Sequence, residues 1–115
     1  MNSNLTFEGS PTGIARQRIT NAAAAGDTTV VAAVAGRSVR VYGLRLSVAG
    51  ACVVQIKDGA GIVLEQFNFA GAGGGVRLKL RGTPFYIGTQ GNALIVNSSA
   101  AVQVDGELEF SNTGA

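Results

Sequence analysis

Apolar residues recur at every second position in short runs, and each run is closed by Gly, Pro, Asn or Asp; from residue 28 onward this pattern constrains the fold more than any other feature of the chain. A period of two places alternate side chains on opposite faces of an extended backbone, so each run reads as a half-buried β-strand. The cleanest example is Val76, Leu78 and Leu80 alternating with Arg77, Lys79 and Arg81. Val102, Val104, Leu108 and Phe110 likewise share one parity, against Gln103, Asp105, Glu107 and Glu109.

One run breaks its own rhythm. Between Ser38 and Ala49, Val39 and Val41 occupy odd positions whereas Leu44, Leu46 and Val48 occupy even ones. A strand changes its buried parity only by inserting a residue or bending, so a β-bulge is expected at Tyr42-Gly43. Thr28 to Val34 precedes this strand, with a turn at Ala35-Gly36-Arg37; Cys52, Val54 and Ile56 follow it. The Asp58-Gly59 pair in Lys57-Asp58-Gly59-Ala60-Gly61 is a hairpin signal leading into Ile62 to Phe69. Pro84 opens a short strand through Phe85, Tyr86 and Ile87, and Ala93 to Asn97 and Ala101 to Phe110 complete the set. Counting from residue 28 gives about eight strands and no helix, which suits a two-sheet sandwich of jelly-roll type. Ile14 to Thr20 reads as a further, short edge strand, and Ala22 to Ala25 as a loop, since Gly26 ends any helical turn begun there.

With 115 residues the chain falls in the range of one domain. Residues 1–13 are polar, with Gly9, Pro11 and Gly13, and read as an extended N-terminal arm; residues 14–115 form the sandwich domain. Leu5 and Phe7, at period two in that tail, face either a partner or their own domain, and Ile14 stands where the arm meets the first strand. Of the 46% apolar residues many are Ala, the chain holds 17 glycines and no Trp, and a core of small residues is expected to gain stability from oligomerisation.

The chain has no His, which excludes Ser-His-Asp and Cys-His catalysis and any His-containing zinc site. Carboxylate pairs remain to be considered at Asp58, Glu65, Asp105, Glu107 and Glu109, but the last three alternate as a solvated strand face does. The AGAGGG run at 70–75 lacks the spacing and the following helix of a phosphate loop, and Asp58-Gly59-Ala60-Gly61 has one carboxylate where a calcium loop needs several. No enzyme activity, cofactor or metal is expected. Cys52 is the one cysteine, a small buried hydrophobe among apolar neighbours. The net charge of +2 is spread along the chain without a basic stripe or stacking aromatics, so no nucleic-acid partner is expected. The N-terminus has no secretory signal and no apolar run is long enough to span a bilayer, so no membrane partner is expected either.

The basic row Arg77, Lys79, Arg81 and the acidic row Asp105, Glu107, Glu109 match in length and period. Labelled in chain order, a jelly roll puts these strands in different sheets, so any pairing of the rows would join subunits or a partner.

The segments VRVYGLRLSVAGACVVQIKDGAG, GAGGGVRLKLRGTPFYIG and GNALIVNSSAAVQVDGELEF, following a short polar arm, resemble the small decoration, or cementing, proteins of tailed-bacteriophage heads. The likeness covers residues 28–110 and is one of length, segment order and style; no motif residue carries over. It implies a homotrimer seated on the outer capsid surface of a virion assembled in a host bacterial cytoplasm. The major capsid protein would be the partner, contacted through the arm by Leu5, Phe7 and Ile14. The alternative from another class is a carbohydrate- or receptor-binding module of a phage tail or fibre, with Tyr42, Phe85 and Tyr86 as the aromatic candidates.

Overall fold

A computed structural model describes residues 14–79, 84 and 86–114, with the side chains of Lys79 and Thr113 outside the description. The arm residues Leu5 and Phe7 therefore lie outside the described residues, as do Leu80, Arg81 and Phe85. Among the described residues nine strands follow one another: β1 Ala15–Thr20, β2 Gly26–Val31, β3 Arg37–Val48, β4 Cys52–Asp58, β5 Ile62–Phe69, β6 Gly75–Lys79, β7 Tyr86–Ile87, β8 Leu94–Ser98 and β9 Val104–Gly114. No helix occurs among the described residues.

The pairings are nested. β1 pairs with β9, β2 with β8, β3 with β6 and then with β7, and β4 with β5, every pair antiparallel. The chain is thus one long ribbon folded back on itself at the β4–β5 hairpin. Rolling that ribbon adds two further neighbours, β3 to β9 and β4 to β8. The result is one sheet in the order β1-β9-β3-β6, with β7 continuing beside β3, and a second in the order β2-β8-β4-β5. With β6 and β7 taken as one interrupted strand, this is the eight-stranded jelly roll.

The parity switch in β3 is a bulge, as the hydrophobic pattern predicts. Val41 pairs with Phe110 and Gly43 with Glu109, which leaves Tyr42 as the extra residue. Val39 and Val41 before it, and Leu44, Leu46 and Val48 after it, all face the core. The Asp58-Gly59 hairpin also forms, closing on the pair Asp58 and Ile62 with Gly59 at φ 67°. Ile14 to Thr20 contains the expected edge strand. The second strand begins at Gly26 and ends at Val31, and the last runs on from Val104 to Gly114, both shifted from the sequence reading by the limits of their backbone ladders.

The core corrects one expectation. Among the described residues no alanine is buried: Ala93 and Ala100 are half-buried and the rest are exposed, mostly in loops. Between the sheets lie Ile19, Val41, Leu46, Val54, Ile56, Leu94, Val104 and Leu108, each at most 2% exposed, and Cys52, also buried, belongs to the same core. Side chains of this size contribute roughly 1.5–3 kcal/mol each when fully buried. The case for oligomerisation drawn from a small-residue core therefore loses its premise.

Candidate interaction face

The outward strand positions of the first sheet hold half of the chain's sixteen charged residues, and the strand register dictates how. Across one rung lie Arg18 of β1, Glu107 of β9, Arg45 of β3 and Arg77 of β6. The next rung holds Arg16, Glu109, Gly43 and Lys79 in the same strand order, and on the other side stand Thr20, Asp105, Ser47 and Gly75. Because these residues alternate with Ile19, Leu44, Leu46, Val104 and Leu108, all buried, the same periodicity that builds the core sorts the charges outward.

This register overturns the sheet assignment expected for the two charged rows. β6 and β9 belong to one sheet, with β3 between them, because rolling the ribbon brings its first and last strands over its third. The acidic row finds its cations within the chain: Arg16 lies 3.5 Å from Glu109 and 4.0 Å from Glu107, and Arg18 lies 3.9 Å from Asp105. The two arginine side chains are 66% and 77% exposed, so such pairs contribute at most about 1 kcal/mol each and mainly orient the groups. Of the basic row, Arg77 is exposed on this face, Lys79 is placed by its backbone opposite Gly43, and Arg81 lies outside the described residues.

Arg45 belongs to this face and sequence reasoning missed it. Its signal was present in the alternation Leu44-Arg45-Leu46, but which charges flank it depends on the order of the strands. A cleft of about 230 Å³ opens beside it, lined by Arg16, Gly43, Arg45, Arg77, Glu107 and Glu109 among others. That volume is below the roughly 300–1,000 Å³ of small-molecule sites. Gly43 leaves room for its neighbour, since a Cβ there would stand 2.8 Å from the Glu109 carboxylate.

The remaining carboxylates have structural tasks. Asp58 is 4% exposed and accepts from the Thr89 backbone N–H at 2.9 and 3.0 Å and from the Thr89 hydroxyl at 2.6 Å, anchoring the loop after β7. Glu65 on β5 accepts from the Tyr86 hydroxyl at 3.1 Å, joining the two sheets. Burial first, and then this hydrogen bond and the Glu65 charge, push the Tyr86 phenol well above its ordinary range. Neither carboxylate is presented as an acid–base pair. In the glycine-rich loop, Gly73 N–H donates to Val48 and Gly74 N–H to Gly71, so these amides are spent on the backbone.

The outward face of the second sheet differs in kind. One rung there reads Asp27, Asn97, Gln55 and Gln66. Asn97 donates to Asp27 at 2.7 Å, Lys57 donates to it at 3.1 Å, and Gln55 donates to Gln66 at 2.9 Å. The Asn97 hydrogen bond and then Lys57 hold the Asp27 carboxyl below the usual carboxylate range. The molecule thus presents one charge-striped face and one amide-rich face.

Of the aromatic candidates, Tyr86 is half-buried and held by Glu65, Tyr42 is half-buried at the bulge, and Phe85 lies outside the described residues. Ile14 is half-buried beside the start of β1. Comparison with known protein families, with characterised proteins and with solved structures finds no match.

Proposed function

We propose that the chain is a structural virion protein of a tailed bacteriophage, which binds the outer surface of the capsid as a homotrimer and cements neighbouring capsomers. The resemblance described above motivates this reading, and the jelly-roll topology is consistent with it. The observation that carries it is one of position: residues 1–13 join the domain at β1, an edge strand of the charge-striped sheet. Arg16 and Arg18 lie on that edge strand, next in sequence to the segment that carries Leu5 and Phe7. A protein that binds the assembled lattice and not its separate subunits stabilises the lattice by mass action, and a trimer multiplies each weak contact through effective concentration. The glycan-binding alternative needs an exposed aromatic platform, and the Glu65 hydrogen bond with the half-burial of Tyr86 withholds that ring.

The test is co-sedimentation with capsids formed by a major capsid protein whose gene adjoins this chain's gene, the neighbour that the reading expects. Saturable binding, a mass in light scattering of three chains, and loss of capsid binding on deleting residues 2–13 with the fold retained are the expected results. A monomer that stays in the supernatant, or strong binding to a single glycan on an array, rejects the reading.

A further inference from the structure

We propose that Arg45 and Arg77 form a clamp for a carboxylate carried by an acidic segment of a partner protein. The two residues are directly opposite one another on β3 and β6, both exposed. Like charges in that position repel and destabilise a sheet unless an anion lies between them. Among the described residues, neither guanidinium has a carboxylate within ion-pair distance or a hydrogen-bond partner. The chain has no described acid to spare for them. Asp27 is taken by Lys57 and Asn97, Asp58 by Thr89, Glu65 by Tyr86, and the acidic row by Arg16 and Arg18.

Edge protection does not account for the pair. Cations on an edge strand discourage pairing with another sheet, and this explains Arg77 on β6. It does not explain Arg45, which lies on an interior strand between β9 and β6, opposite Glu107 in register but beyond ion-pair distance of it. Each of the two guanidinium groups beside the cleft of about 230 Å³ carries the forked N–H donors with which arginine binds a carboxylate.

The carboxylates in the same cleft select the class of occupant. Glu107, opposite Arg45 in register, and Glu109 line it together with Arg16, which pairs with both. A nucleic acid carries a charge on every phosphate and would set some of them against these carboxylates. A polypeptide carries a carboxylate at one position and a neutral or basic group at the next, and so meets both signs of charge. This inference does not depend on the capsid reading, because any acid-bearing partner would satisfy it.

The arginine Nε–Hε signals in a ¹⁵N-correlated spectrum at low ionic strength report on the clamp directly. Titration with a blocked Gly-Glu-Gly-Lys peptide is expected to shift the Arg45 and Arg77 signals saturably, whereas the same peptide with glutamine in place of its glutamate leaves them in place. Arg77→Gln is expected to weaken binding of the glutamate-bearing peptide at least fivefold, while Arg37→Gln, an equal loss of charge at the far end of β3, changes it less than twofold. Glu107→Gln is expected to tighten binding by removing the carboxylate that stands beside Arg45 on the same rung. Unmoved signals, equal weakening by Arg37→Gln, or tighter binding of an oligothymidylate than of the peptide would each overturn the proposal.

Discussion

The side-chain amide of Asn21 donates to the Val102 carbonyl at 2.8 Å, tying the end of β1 to the approach of β9 across 81 positions of sequence. The same side chain donates to Ala24 and accepts from the backbone N–H groups of Ala23 and Val104, so both its polar atoms are satisfied although the residue is 5% exposed. It encloses Ala22 and Ala23, at φ 53° and 56°, in the left-handed region that alanine rarely occupies. Asn21→Ala strands buried backbone groups and is expected to cost about 3 kcal/mol in urea unfolding. A loss under about 1 kcal/mol would show that the loop holds itself.

The strain at Ala22 and Ala23 gives a second expectation, of opposite sign. Glycine adopts a positive φ without the Cβ clash, although it adds entropy to the unfolded chain. Ala23→Gly is therefore expected to raise stability by about 0.5–1 kcal/mol, read as a higher urea midpoint at constant slope. A lowered midpoint would mean that Asn21 relieves the strain completely.

Gly106 sits where the central strands of the first sheet crowd most closely. It pairs with Ile19 on one side and Leu46 on the other, and a Cβ there would overlap the Arg45 carbonyl oxygen. A glycine inside a strand marks such backbone approach. Since backbone cannot yield as a flexible side chain does, Gly106→Ala is expected to destabilise the domain by 3 kcal/mol or more, on the order of an overpacked core. Gly61→Ala, in open space at the β4–β5 turn, is the contrasting control and is expected to change stability by less than about 0.5 kcal/mol.

The bulge at Tyr42 was legible because parity is a local property: five hydrophobic residues on one strand suffice to locate the inserted one. The Asp58-Gly59 hairpin was legible for the same reason. Strand adjacency is not local. β3 lies between β6 and β9 because the ribbon rolls up, and nothing in the neighbourhood of Arg45 records that. The position of Arg45 between Glu107 and Arg77 is thus a product of topology, as is the internal pairing of the acidic row with Arg16 and Arg18. Composition misled in another way, because counting alanines does not say that they sit in loops.

Asp58 secures the loop after β7 with both oxygens, and Gly88 adds hydrogen bonds to Val39 and Ser38 beside it. Asp58→Ala removes three contacts to Thr89 and leaves its N–H without the carboxylate, an expected loss of about 2–3 kcal/mol. Thr89→Val removes only the hydroxyl contact and is expected to cost about 1 kcal/mol. Equal effects of the two substitutions in chemical denaturation would show that the backbone contacts contribute nothing.

Tyr86 couples the two sheets through Glu65, and its phenol is pushed up chiefly by burial and secondly by that carboxylate. An unfolded tyrosine ionises near pH 10, so the unfolded chain loses this proton before the folded one does. The resulting stability is complete below about pH 10 and is lost as pH rises above it. In a Tyr42→Phe variant, which leaves one tyrosine, phenolate absorbance at 295 nm is expected to appear only above about pH 11 and together with alkaline unfolding. Adding Glu65→Gln is expected to lower that onset in part, because burial, the larger cause, remains. An ordinary titration near pH 10 with native circular dichroism would show that the Tyr86 ring is open to solvent and that the contact with Glu65 does not join the sheets.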